Sequence, residues 1–110
     1  MKYIITESQY SKILDRFLTH QFEPHEEKQS KEYPNSIFWV KNNEVIIAEI
    51  EKSKFWIKFD IWNSTSDMFS LDYDETKLAI KEWLEKHHDF ELSSTRIIKA
   101  NKYQWTGRTL

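Results

Sequence analysis

The stretch Lys54-Phe55-Trp56-Ile57-Lys58-Phe59-Asp60-Ile61-Trp62 alternates with period two, the pattern of a strand with two different faces. Phe55, Ile57, Phe59 and Ile61 make one face; Trp56, Lys58, Asp60 and Trp62 make the other. Upstream, Ile37 to Lys41 and Glu44 to Ile50 read as two strands. Asn42-Asn43 joins them as a two-residue hairpin turn, because Asn tolerates positive φ best after Gly. Glu51 to Lys54 reads as a second tight turn. With two-residue loops at both turns, Trp39 opposes Ile46, Phe38 opposes Ile47, Ile50 opposes Phe55 and Ala48 opposes Ile57. One sheet face is then continuously apolar: Ile37, Trp39, Ile46, Ala48, Ile50, Phe55, Ile57, Phe59 and Ile61. The other carries Phe38, Val40, Val45, Ile47, Trp56 and Trp62 among Glu49, Lys58 and Asp60. A one-residue bulge in either turn would exchange part of this partition.

The flanking segments change period. Lys2 to Ile5 reads as a short strand. Thr6 and Gln9 have the spacing of a capping box, and Tyr10, Ile13, Leu14, Phe17 and Leu18 follow as one apolar helical stripe. Pro24 through Asn35 reads as a long loop, since each proline pushes the preceding residue off helical geometry. Asn63 to Asp67 is loop, and Met68 to Leu71 a short strand. A helix runs from about Glu75 to His88, capped by Asp72 or Asp74, with Ala79, Ile80, Trp83, Leu84 and His87 on one face. Arg96 to Ala100 reads as a final strand. The expected fold is α+β: an antiparallel β-meander of three to five strands with an N-terminal and a C-terminal helix packed on one face. One domain spans 1–105, and 106–110 form a C-terminal tail.

Composition narrows the chemistry. The 110 residues contain no cysteine, which excludes disulfides, thiolate nucleophiles and zinc–cysteine sites. The lone glycine, Gly107, leaves no glycine-rich phosphate loop. No apolar run reaches the roughly 18 residues that span a bilayer, and the apolar run at the N-terminus is too short for a secretory signal. The expected location is cytoplasmic, without a membrane partner. Net charge is −2, unevenly placed. No acid follows Glu91, so Arg96, Lys99, Lys102 and Arg108 give the last segment +4 and leave the rest of the chain at −6.

No catalytic constellation stands out. His20, His25, His87 and His88 lack the i, i+4 spacing of a helical metal pair. His87-His88 sits where a cation favours a helix C-terminus. The acids at Asp72, Asp74 and Glu75 are explained by helix capping, and Glu75-Thr76-Lys77 is a chance pattern in a chain with 31% charged residues. No catalytic residue, metal or cofactor is therefore expected. The mixed face remains, with Phe38, Ile47, Trp56, Lys58 and Trp62 as candidate partner-binding residues. Tryptophan is enriched at binding hot spots, and an open face of this size marks a protein partner or a homo-oligomer unless the chain covers it itself. Single-stranded nucleic acid, stacked on the rings and drawn to the basic C-terminal segment, is the alternative.

The opening Met1-Lys2-Tyr3-Ile4-Ile5-Thr6-Glu7-Ser8-Gln9-Tyr10 resembles the start of small uncharacterised proteins of tailed bacteriophages, which begin with lysines and isoleucines before Ile-Thr-Glu-Ser-Gln. Ile80-Lys81-Glu82-Trp83-Leu84-Glu85-Lys86, closing a β-then-helix unit, is similar to the same group. The resemblance implies a phage or phage-like origin, in host cytoplasm or virion, and brings no activity or site with it. The expectation is a non-enzymatic protein-interaction module, either a virion component or an inhibitor of a host protein.

Overall fold

A computed structural model of the chain describes residues 7–30, 33–50, 54–88 and 96–101. In chain order these form α1 (Glu7–Phe22), β1 (Glu26–Ser30), β2 (Tyr33–Lys41), β3 (Glu44–Ile50), β4 (Lys54–Ile57), α2 (Phe59–Phe69), α3 (Tyr73–His88) and β5 (Ile97–Lys99). The strands lie in one sheet in sequence order. β1 to β4 pair antiparallel, and β5 joins β4 in parallel after the chain has passed through α2 and α3. The fold is thus α+β with a mixed, mostly antiparallel sheet and a third helix. A parallel neighbour needs a crossover rather than a hairpin, and α2 and α3 supply it.

The Asn42-Asn43 turn forms as its residues dictate, with φ of 53° and 64° and Lys41 opposite Glu44. Both central residues at positive φ make it a primed hairpin turn, which matches the twist of the flanking strands. One step further the register departs from the expected one. Val40 opposes Val45, yet Trp39 opposes Ile47, so Ile46 is the extra residue of a bulge. Phe38 then opposes Ala48, Ala48 opposes Trp56, and Ile47 opposes Ile57. Ile50 opposes Lys54 instead of Phe55. Ala48 and Ile50 move to the second face, and Ile47 and Glu49 move to the first.

Three further expectations are corrected. The strand from Phe55 to Trp62 stops at Ile57, and the chain is helical from Phe59. Ile61, Trp62 and Thr65 are the buried residues of that helix, a spacing that suits a helical face as well as Ile61 suits a strand. Lys58 is the switch: its N–H closes the ladder onto the Ile46 carbonyl at 3.0 Å, and its own carbonyl accepts from Ile61 and Trp62 at 3.1 Å each. Met68 and Phe69, expected in a strand, form the last turn of α2, which ends at Ser70 with φ 52°. A left-handed residue there normally calls for glycine, and this chain has its one glycine elsewhere. The expected loop from Pro24 to Asn35 contains β1 and the start of β2. Glu26 to Gln29 are all exposed, so this edge strand shows no apolar alternation and is legible only by its pairing.

The second helix expected from sequence forms as α3. Asp72 caps it: the Glu75 N–H donates to Asp72 Oδ1 at 2.8 Å, and the Asp72 N–H donates to Glu75 Oε1 at 3.0 Å, a reciprocal capping box. The N-terminal strand and the Thr6 cap lie outside the described residues, as does the tail at 106–110.

All three helices meet the first sheet face. Leu18 and Phe22 of α1, Ile61 and Trp62 of α2, and Ile80, Trp83 and Leu84 of α3 pack in one buried cluster with Trp39, Ile46, Ile47, Phe55, Ile57 and Ile97. Emptying such a site leaves a cavity the neighbours fill only in part. Trp62→Ala should cost about 3–5 kcal/mol in a denaturant titration; a loss below about 1 kcal/mol would place Trp62 outside the core. Asn43→Gly should leave stability unchanged or raised, because glycine prefers the positive φ observed. A clear loss would contradict the turn.

Candidate functional site

The five residues expected to share a partner-binding face divide into three groups. Phe38 and Trp56 lie on the second face, one on each side of Ala48. Ile47, fully buried, and Trp62, 1% exposed, belong to the helix-covered core. The alternating pattern puts Trp62 on one strand with Trp56, but the helix turns it into the core against Tyr73, ring centroids 4.9 Å apart. Lys58 lies between β4 and α2, where its ammonium bonds the Glu44 carboxylate and stands 3.9 Å from Asp60. It ties the β2–β3 hairpin to the start of α2 and leaves the sheet face.

The bulge assembles a different apolar set on the second face. Phe38, Val45 and Ala48 form a cluster with Val40, Ile50 and Trp56 packed around it. The first three are 8%, 7% and 5% exposed, whereas Val40, Ile50 and Trp56 are half-buried. Among the described residues, no helix contributes to this cluster. Its charges also differ from expectation. Glu49 opposes Ile37 and Phe55 and so shares the helix side, and Asp60 is on α2. What remains on this side is Lys54, exposed and opposite Ile50, with Lys28 opposite Phe38 and Glu26 opposite Val40 on β1. Lys28 stands 3.7 Å from Glu26.

A second concentration of functional groups leaves no signal in the sequence. The C-terminal ends of α1 and α3 meet, and the link after α1 brings in His25 across the cis Glu23–Pro24 peptide. Glu23 accepts from His88 Nε2 at 3.0 Å and lies 3.1 Å from His25 Nδ1, which also faces the Phe22 carbonyl at 3.0 Å. Two acceptors on one nitrogen place the proton on Nδ1. The His25 ring stacks on Trp39 at 3.9 Å and 9°. Trp83 donates its indole N–H to Thr19 Oγ1 at 2.9 Å, and Lys41 donates to the carbonyls of His20 and Glu23 at the end of α1. That places a cation on the negative end of the helix dipole. His87 Nε2 bonds Asp15 Oδ1 at 2.7 Å, with the Lys86 ammonium 3.4 Å away. The Trp83–Thr19 and His87–Asp15 partners are 64 and 72 residues apart, so no local spacing could have joined them.

Among the described residues, no group of three or more His, Asp or Glu side chains is placed to hold a metal ion, and no helix is long and apolar enough to cross a membrane.

Asp15 is the group whose titration the arrangement moves here. Partial burial pushes its carboxyl up, but the hydrogen bond and charge of His87, joined by Lys86, outweigh it and hold the carboxyl below its ordinary range. A depressed native value means stability that is present above the unfolded value near 3.9 and lost as pH falls through the native one. Asp15→Asn should therefore lower stability at neutral pH and flatten the loss below about pH 4. Parallel denaturant titrations of wild type and variant test this; identical slopes with pH would remove the pairing from the account.

No protein-family model matches the chain, and no curated protein or solved structure matches it, so the residues themselves carry the functional reading.

Proposed function

We propose that this chain is a non-enzymatic protein-binding module that receives an acidic segment of a protein partner on the second face of its sheet, with Trp56 at the centre of the contact. The observation that carries the reading is the half-buried Trp56, flanked by Ile50 and Lys54, on a face that no described helix covers. The half-buried Trp56 with the exposed Lys54 at its edge suits a partner that offers an apolar anchor among carboxylates. The register supports the sign of the charge, since Glu49 and Asp60, which would have repelled such a segment, face elsewhere. A virion component and an inhibitor of a host protein, the two roles that fit the phage resemblance, both work through a contact of this kind.

Selection from a displayed random-peptide library should return sequences rich in Asp and Glu around an aromatic or branched residue. Trp56→Ala should abolish their binding while the far-ultraviolet circular dichroism stays that of wild type, since a central aromatic anchor contributes roughly 2 kcal/mol or more. Lys54→Glu should weaken binding about tenfold and leave folding intact. Three outcomes overturn the reading. An unfolded Trp56→Ala would mean that the chain closes its own second face. Selected peptides that ignore Trp56 would move the site. Preferential capture of oligo-dT, weakening steeply between about 50 and 200 mM salt, would assign the face to single-stranded nucleic acid.

A further inference from the structure

A groove of about 630 Å3 lies between the C-terminal half of α1 and the end of α3, away from the second sheet face. Its walls include two acids and three basic or titratable nitrogen groups, and the pairing among them is unequal. Asp15 is engaged by His87 and Lys86. Glu23 is engaged by His25 and His88. Among the described residues, the side chains of Arg16 and His20, both exposed, have no hydrogen bond or ion pair. They stand four residues apart on α1, so they project from one face of the helix, about 5–6 Å apart at Cβ. His87 completes the wall: with Nε2 held by Asp15, the ring is oriented and its Nδ1 is left over. Thr19 and Pro24 close the floor between these groups.

The carboxylates that would otherwise neutralise Arg16 are therefore already occupied, and they are occupied by groups from other elements. This leaves a guanidinium fork beside an imidazole, a donor set that matches the two coplanar oxygens of a carboxylate or a phosphate. We propose that the groove is a binding site for a small oxyanion, held by Arg16 and His20 with His87 at the opposite wall. The chemistry is shared by a carboxylate and a phosphate monoester, and the site is independent of the partner-binding face.

Nuclear magnetic resonance titration of the 15N-labelled full chain tests the site, with sodium phosphate and sodium acetate as separate probes and chloride holding ionic strength constant. Saturable shifts confined to the amides that line the groove, from Asp15 to Glu23 and at His87, support the site with either probe. Saturation with one probe alone assigns the oxyanion class. Arg16→Gln should weaken binding at least about tenfold, and His20→Gln by a smaller factor. Shifts that stay linear to tens of millimolar with both probes overturn the proposal, as does a curve that Arg16→Gln leaves unchanged. Both residues are exposed, so a folded variant is expected, and His20→Gln supplies the decision should Arg16→Gln fail to fold.

Discussion

One extra residue, Ile46, sets the chemistry of the whole sheet. Opposite it, β2 advances from Val40 to Trp39 while β3 advances from Val45 to Ile47. The bulge lets Ile46 and Ile47 both enter the core, where two consecutive residues of a regular strand would face opposite ways. Everything after it inherits the shift. Ile47 meets Ile57, Ala48 meets Trp56, and the core row Trp39, Ile47 and Ile57 becomes the floor on which the helices sit. The same displacement brings Ala48 and Ile50 to the side of Trp56 and takes Glu49 away from it.

Local signals that act within a few residues were legible in the sequence. The Asn42-Asn43 turn, the helix beginning near Glu75 with a cap at Asp72 or Asp74, and the Leu14, Phe17 and Leu18 part of the α1 stripe need only neighbours along the chain, whereas Ile13 of that stripe is exposed. The faces were not legible in full, because a bulge adds a single residue and leaves no mark in the hydrophobic pattern. The region from Phe59 failed for another reason. Phe55, Ile57, Phe59 and Ile61 satisfy period two, while Ile61, Trp62 and Thr65 satisfy a helical face, and burial against α1 and α3 decided between them. β1 shows the limit from the polar side: its exposed Glu26 to Gln29 are a strand because β2 offers hydrogen bonds, with no apolar pattern to announce it.

The candidate sites divide along the same line. Alternation and the turn put Trp56 and Phe38 on the second face, where the register places them, whereas Ile47, Lys58 and Trp62 leave that face with the bulge and the helix. The histidine–carboxylate end was invisible, since Glu23, His25, Asp15, His87 and His88 meet only after the ends of α1 and α3 come together. Two regions of different character result. One is the second sheet face, an apolar cluster with the half-buried Trp56 at its edge and Lys54 beside it. The other is a polar groove whose acids are paired and whose Arg16, among the described residues, is not.

The second sheet face has its aromatic edge only if Trp56 points away from the helices. Nuclear Overhauser contacts from its indole protons give that directly, in the unmodified full chain. The register predicts cross-peaks from Trp56 to the Ala48 methyl and to Ile98, its neighbours across β3 and β5, with none to Leu84 or Ile80. Cross-peaks from Trp56 to the α3 methyls would place it in the helix-covered core and remove the face on which the proposed partner sits.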